Sequence, residues 1–212
     1  MDQAATRSLQ KTIEAMKVLV VDDEQYMRKV VRTMLLSMGV KIIYEAEDGH
    51  AGLESICRHQ PDIVIVDWEM PGMDGSAFVR MIRSPKTFPF PDVPIIMLSG
   101  HGDRWRVVEA AKLGAHEYLL KPVSTKALHE RIAAILTIPR PFITLDGYYG
   151  PAPRKFFNRD MERPASAQKP VRPPKDAQPG DNRPVAASRS LPARQPARAD
   201  RDEVVEKKVV LL

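Results

Sequence analysis

Ile63-Val64-Ile65-Val66-Asp67-Trp68-Glu69-Met70-Pro71 is the stretch on which the fold turns, four aliphatic residues delivering one acid to a turn. A short, continuous β-branched run reads as a strand buried on both faces, as in a parallel sheet with helices on either side. Asp67 then stands at the strand's carboxyl end, the edge at which open α/β sheets bind ligands. An acid there can equally cap the following turn, so its meaning depends on the company it keeps elsewhere in the chain.

Other runs of strand length are Lys17 to Val21, Lys41 to Glu45, Val93 to Leu98 and Glu117 to Leu120. Helical stretches separate them. Met27, Val30, Val31, Met34, Leu35 and Met38 recur at three- and four-residue spacing over Gln25 to Met38, and Gly39 closes the stripe. Asp48 is placed to cap a helix through about His59, and Ser76 to Arg83 continues as helix after the turn Met70-Pro71-Gly72-Met73-Asp74-Gly75. Asp103 to Leu113 is stopped by Gly114, and Ser124 caps a last helix to about Thr137. Ser84 to Pro94 holds four prolines and is expected to be irregular. Alternating strands and helices predict an α/β, doubly wound parallel sheet. The functional consequence is geometric: Asp22, Asp23, Asp67, Ser99 and Lys121 each end a strand, so they converge on one edge of the sheet although up to 99 residues separate them.

The chain has 212 residues, a formal net charge of +5 and a pI near 9.3. Residues 1–138 carry 17 Lys and Arg against 18 Asp and Glu, a net of −1, and residues 139–212 carry 15 against 9, a net of +6. The basic character belongs to the tail, so it gives no reason to expect that the folded part binds nucleic acid. Cys57 is the single cysteine, which makes no internal disulfide and points to a reducing compartment; beside Leu53 and Ile56 it is expected to be buried. Met1 to Lys17 carries charges without an apolar core and is not expected to be a secretory signal. No aliphatic run is long enough to span a bilayer, and His50, His59, His101, His116 and His129 show no ligand spacing.

Three carboxylates gathered within about 4 Å repel by roughly 4 kcal/mol per pair at an effective dielectric near 20. Such a cluster needs a cation or a proton. Hard oxygen ligands without histidine or thiolate favour Mg²⁺. A lysine and a hydroxyl opposite supply a point charge and a hydrogen-bond donor, completing the parts of a phosphoryl-transfer site with a carboxylate nucleophile.

Val20-Val21-Asp22-Asp23-Glu24, the run from Val66 to Gly75, Leu98-Ser99-Gly100 and Leu120-Lys121-Pro122 together resemble the receiver domain of two-component response regulators, in particular its single-domain chemotaxis type (CheY-like). The resemblance covers about residues 16–137 and implies a flavodoxin-like (βα)5 sheet of strand order 2-1-3-4-5. It implies that Asp67 is the phosphoacceptor, taking a phosphoryl group from a sensor histidine kinase or a histidine phosphotransfer protein. Asp23, Asp67 and the backbone carbonyl of Glu69 would ligate Mg²⁺, with Asp22 holding it through water. Lys121 would contact the phosphoryl group, next to a cis bond to Pro122, the kind of bond in which cis costs little. Ser99 would swing its hydroxyl onto a phosphoryl oxygen and let Tyr118 turn inward, remodelling the surface from Asp103 to Thr137 for a downstream protein. Glu69 and His101 depart from the commonest pattern and stand where the family tunes access of the hydrolytic water. The resemblance thus implies a cytoplasmic signalling switch with no membrane contact and no catalysis beyond loss of its own phosphoryl group.

Two other readings use the same residues. A haloacid-dehalogenase-like phosphohydrolase also combines Asp, Lys and Mg²⁺, but it needs a second Asp where Glu69 stands and a nucleophile on the first strand of its core. A receiver acting as a phosphate sink would have the same chemistry without conformational output. The expected organisation is an N-terminal lead-in over 1–15, the receiver over 16–138, an aromatic and Pro-rich extension over 139–158 that docks on the domain or on a partner, and a disordered basic tail over 159–212.

Overall fold

The β-branched runs form strands within two residues of their expected limits: β1 (Lys17–Val21), β2 (Ile42–Ala46), β3 (Ile63–Asp67), β4 (Ile95–Ser99) and β5 (Glu117–Leu120). The computed structural model describes residues 3–153. The expectations for residues 159–212, and for the extension beyond Pro153, lie outside the described residues. The five strands make one parallel sheet of order β2-β1-β3-β4-β5, as expected. The chain winds one way from β1 to β2 and the other way from β3 onward, so the ends of β1 and β3 flank the switch point where such sheets open a crevice.

Helices α1 (Gln3–Ala15), α2 (Gln25–Ser37), α3 (Gly49–His59), α4 (Gly75–Ile82), α5 (Arg104–Leu113) and α6 (Thr125–Thr137) cover the two faces. Strand side chains alternate between those faces. Leu19, Val21, Val64, Val66, Ile95 and Met97 pack with Ile56, Phe78 and Leu113 of α3, α4 and α5. Val18, Val20, Ile63, Ile65, Ile96 and Leu98 pack with Ile13, Leu35 and Ile132 of α1, α2 and α6. Every residue of β3 is buried, as its continuous apolar run requires.

The stretch expected as a lead-in is therefore a core helix. Ile13 and Met16 are buried and Leu9 packs against the same cluster, one face at helical spacing. Cys57 corrects another expectation, since it is exposed. α3 presses Gly52 and Ile56 onto the sheet, and one residue further is about 100° around the helix, which turns Cys57 to solvent.

The aromatic extension docks on its own domain. β6 (Phe142–Leu145) and β7 (Tyr148–Pro151) form an antiparallel hairpin around Asp146 and Gly147, whose φ values are 43° and 82°. Two successive left-handed residues, with glycine second, give the turn twist that a two-residue hairpin favours. The Phe142 ring lies 5.5 Å from His116 and 5.6 Å from Tyr149, with the Arg83 guanidinium 5.2 Å above it. Arg83 is buried and donates to the carbonyls of Gly114 and Val93, both at 2.9 Å, and to that of Pro91. Arg140 donates to the carbonyl of His116.

Burial, then the charges of Arg83 and Arg140, push the His116 pKa down to about 3. Its Nδ1 accepts the Ile95 N–H at 3.3 Å, so protonation there also removes an acceptor. The folded state binds this proton less readily than the unfolded chain, so the stability it contributes is complete above about pH 6.5 and declines as pH falls toward 3. At pH 5 the loss should be about 2 kcal/mol relative to neutral pH. His116→Gln should flatten that part of the pH dependence in urea titrations; an unchanged slope would show that His116 does not carry it.

Candidate phosphoryl-transfer site

Asp22 and Asp67 are fixed by the backbone next to them. Just past β1, the Asp22 carboxylate accepts the Glu24 N–H at 2.9 Å, a local turn that holds the side chain over the strand end. Arg28 of α2 donates to the carbonyls of Asp22 at 2.7 Å and Asp23 at 3.2 Å, and pairs with Glu45 at 3.7 Å. Asp67 is the last residue of β3 and is buried. The turn after it is clamped on two sides: Trp68 N–H donates to Leu98 O at 2.8 Å, and Gly75 N–H to Trp68 O at 2.9 Å. Lys121 N–H donates to Ser99 O at 2.8 Å, tying the end of β5 to the end of β4, and the Lys121–Pro122 bond is cis.

The result is a compact charge cluster. One carboxylate oxygen from each of Asp22, Asp23 and Asp67 lies within 4.8 Å of the others. Lys121 Nζ is 2.8 Å from Asp67 Oδ1 and 3.0 Å from Asp22 Oδ2. Burial raises the Asp67 pKa to about 6, against the lowering pull of its hydrogen bond and ion pair with Lys121. Burial also opposes the charge on Lys121, but its bonds to Asp67 and Asp22 outweigh that and raise its pKa. Three hard oxygens without nitrogen or sulfur suit a small divalent cation, and the exposure of Asp23 leaves one side open to the waters that Mg²⁺ retains.

A second set of contacts gathers around the end of β4. Ser99 is fully buried, and its Oγ accepts the His101 N–H at 3.1 Å. The Tyr118 hydroxyl donates to the His101 carbonyl, and the ring meets Trp68 edge-on with centroids 6.2 Å apart. Ser99 and Tyr118, paired in the sequence reading, are thus joined through one loop residue. Glu69 Oε1 lies 2.9 Å from His101 Nδ1 and 3.1 Å from Arg106 Nη1. Sequence reasoning brought Asp22, Asp23, Asp67 and Lys121 together correctly, but it missed Arg28 and Arg106. Each is a lone charge on a helix face, and no spacing distinguishes it from its solvated neighbours.

The response regulator receiver domain family matches residues 18–133, more than half of the chain. The chain belongs to that family. Chemotaxis protein CheY-3 of Vibrio cholerae is 33% identical over 120 residues, covering 57% of this chain and 91% of the relative. Chemotaxis protein CheY1 of Helicobacter pylori is 34% identical over 122 residues, covering 57% of this chain and 97% of the relative. The crystal structure of a response regulator receiver domain protein from Clostridium thermocellum has a TM-score of 0.52 at 31% identity, over 57% of this chain and 94% of that one. The chain thus contains a receiver domain, the phosphoacceptor module of two-component systems, and α1 and the β6–β7 hairpin both lie outside the matched residues. Among the described residues of this receiver protein, no helix is long and apolar enough to cross a membrane.

Proposed function

We propose that Asp67 is the phosphoacceptor of a cytoplasmic switch filling residues 16–138. The observation that carries this is the placement of Lys121 Nζ 2.8 Å from a buried Asp67, with two further carboxylates beside it. A carboxylate oxygen of Asp67 attacks the phosphorus of a phosphohistidine on a sensor kinase or phosphotransfer protein. The new P–O bond forms as the P–N bond breaks and the imidazole leaves. Lys121 faces the phosphoryl oxygens as a fixed positive charge. Asp23, Asp67 and the Glu69 carbonyl would hold Mg²⁺, with Asp22 acting through water, and the ion would neutralise charge on the phosphoryl oxygens. Hydrolysis of the acyl phosphate returns the carboxylate, so the chemistry is a switch and not turnover of an external substrate.

Output follows from the His101 junction. A phosphoryl group that draws the Ser99 hydroxyl toward itself removes the acceptor of the His101 N–H. The His101 carbonyl also anchors Tyr118, so the loop and the ring move together and change the face made by α5, β5 and α6 for a protein partner. Glu69 and His101, two residues after Asp67 and Ser99, meet each other at 2.9 Å and set how readily water reaches the acceptor. The dehalogenase-type reading is disfavoured because Asp67 ends the third strand, not the first. Incubation with acetyl phosphate should add a single phosphate by intact mass, only with Mg²⁺ present. No adduct in a folded protein would remove the proposal.

A further inference from the structure

Arg106 lies in the first turn of α5, and its side chain is 16% exposed, whereas the Glu69 side chain it meets is 49% exposed. Its guanidinium stands 5.4 Å from the Trp68 ring centroid and 5.1 Å from that of Trp105. Stacking against two indoles fixes the plane of the cation and shields it from water. Nε and Nη1 are both buried without a hydrogen-bond partner among the described residues, so the charge is balanced by the ion pair of Nη1 with the Glu69 carboxylate, 3.1 Å away. A covered cation holds its carboxylate more firmly than an exposed pair does. Arg106 is therefore the fixed post and Glu69 the mobile arm tied to it. His101 Nδ1 approaches the same Oε1 to 2.9 Å, from a half-exposed ring.

We propose that Arg106 is a positioning residue for the lifetime of the acyl phosphate, holding the Glu69 carboxylate away from the path of the attacking water. This rests on the reading of Asp67 as phosphoacceptor. Hydrolysis joins a water oxygen to phosphorus and breaks the bond from phosphorus to the Asp67 oxygen, while the water's proton passes to a base. Glu69, two residues after the acceptor, is the side chain able to become that base once released. Well-placed general bases contribute about 10²- to 10⁴-fold. A carboxylate that visits the position only part of the time should contribute about tenfold. The pin to Arg106 suppresses that contribution and lengthens the signal.

The test uses the full chain, phosphorylated with acetyl phosphate and Mg²⁺ and then freed of donor. Arg106→Ala should shorten the lifetime about tenfold, and adding Glu69→Gln should abolish that shortening. Arg106→Lys, which keeps the charge without the planar fork, should fall between and also serves if the alanine variant folds poorly. A purely structural role for Arg106 would shorten the lifetime equally in both Glu69 backgrounds, and that result, or no shortening at all, would overturn the proposal. Nitrogen-15 NMR of the Arg106 guanidinium gives a readout independent of phosphorylation. Rotation of its terminal nitrogens should be slow in the wild type and fast in Glu69→Gln, and equal rotation would also overturn the proposal. A wild type that shows the slow rotation but takes no phosphoryl group would instead overturn the phosphoacceptor reading, and the lifetime role with it.

Discussion

Lys121→Ala should slow phosphoryl uptake from acetyl phosphate by about a hundredfold, the usual consequence of removing one preorganised donor from a transferring group. Lys121 Nζ bonds both Asp67 and Asp22, so the substitution also takes away the charge that orients the acceptor. The two effects separate experimentally. Loss of the cation lowers the rate at every donor concentration, whereas the metal carboxylates remain, so Mg²⁺ binding measured by calorimetry should persist in the variant. Lys121→Arg should recover only part of the rate, because a planar fork replaces a compact point charge. Without metal, the alanine variant also leaves Asp22 and Asp67 buried without their cation, at a cost of about 3 kcal/mol. Unaltered uptake in Lys121→Ala would mean that the phosphoryl group does not meet this side chain.

Gly75→Ala should be the most damaging small substitution near the site. A Cβ on Gly75 would stand 2.3 Å from the carbonyl oxygen of Asp67 and 2.9 Å from the Cα of Trp68. Both obstacles are backbone, so the start of α4 and the end of β3 have to separate. That movement also breaks the 2.9 Å bond from Gly75 N–H to Trp68 O. Overpacking of this kind costs about 3 kcal/mol, and it displaces the acceptor itself, so the urea midpoint and the rate of phosphoryl uptake should fall together. Gly100→Ala is the control, since nothing lies within 4 Å of a Cβ there, and its stability change should stay within about 0.5 kcal/mol. Equal midpoints for the two variants would contradict the close approach at Gly75.

The parts of this fold that were legible in the sequence are those in which one residue type has one physical use. Ile63 to Val66 could only be a strand buried on both sides, and Gly114 stops α5 in the left-handed conformation that glycine favours, at φ 92°. The acids and Lys121 were legible because strand ends in such a sheet all face one edge. Two additions escaped. In α1, the charges around Leu9, Ile13 and Met16 masked a narrow apolar stripe, although its spacing is helical. In the hairpin, Asp146-Gly147 between apolar runs is the strongest short signal for a two-residue turn, but the surrounding prolines and glycines made the segment read as an aromatic, Pro-rich extension with no strands assigned to it. The outward turn of Cys57 and the pin between Arg106 and Glu69 depend on how helices are rotated and seated on the sheet, which periodicity alone does not fix.

The central claim is that Asp67, and neither Asp22 nor Asp23, carries the phosphoryl group. Acyl phosphates are reduced by borohydride, which converts the modified aspartate to homoserine and leaves free carboxylates unchanged. Protein treated with acetyl phosphate and Mg²⁺, reduced and mapped by peptide mass spectrometry should contain homoserine at position 67, and none in Asp67→Asn. Homoserine at position 22 or 23, or its persistence elsewhere in Asp67→Asn, would contradict the assignment of the acceptor.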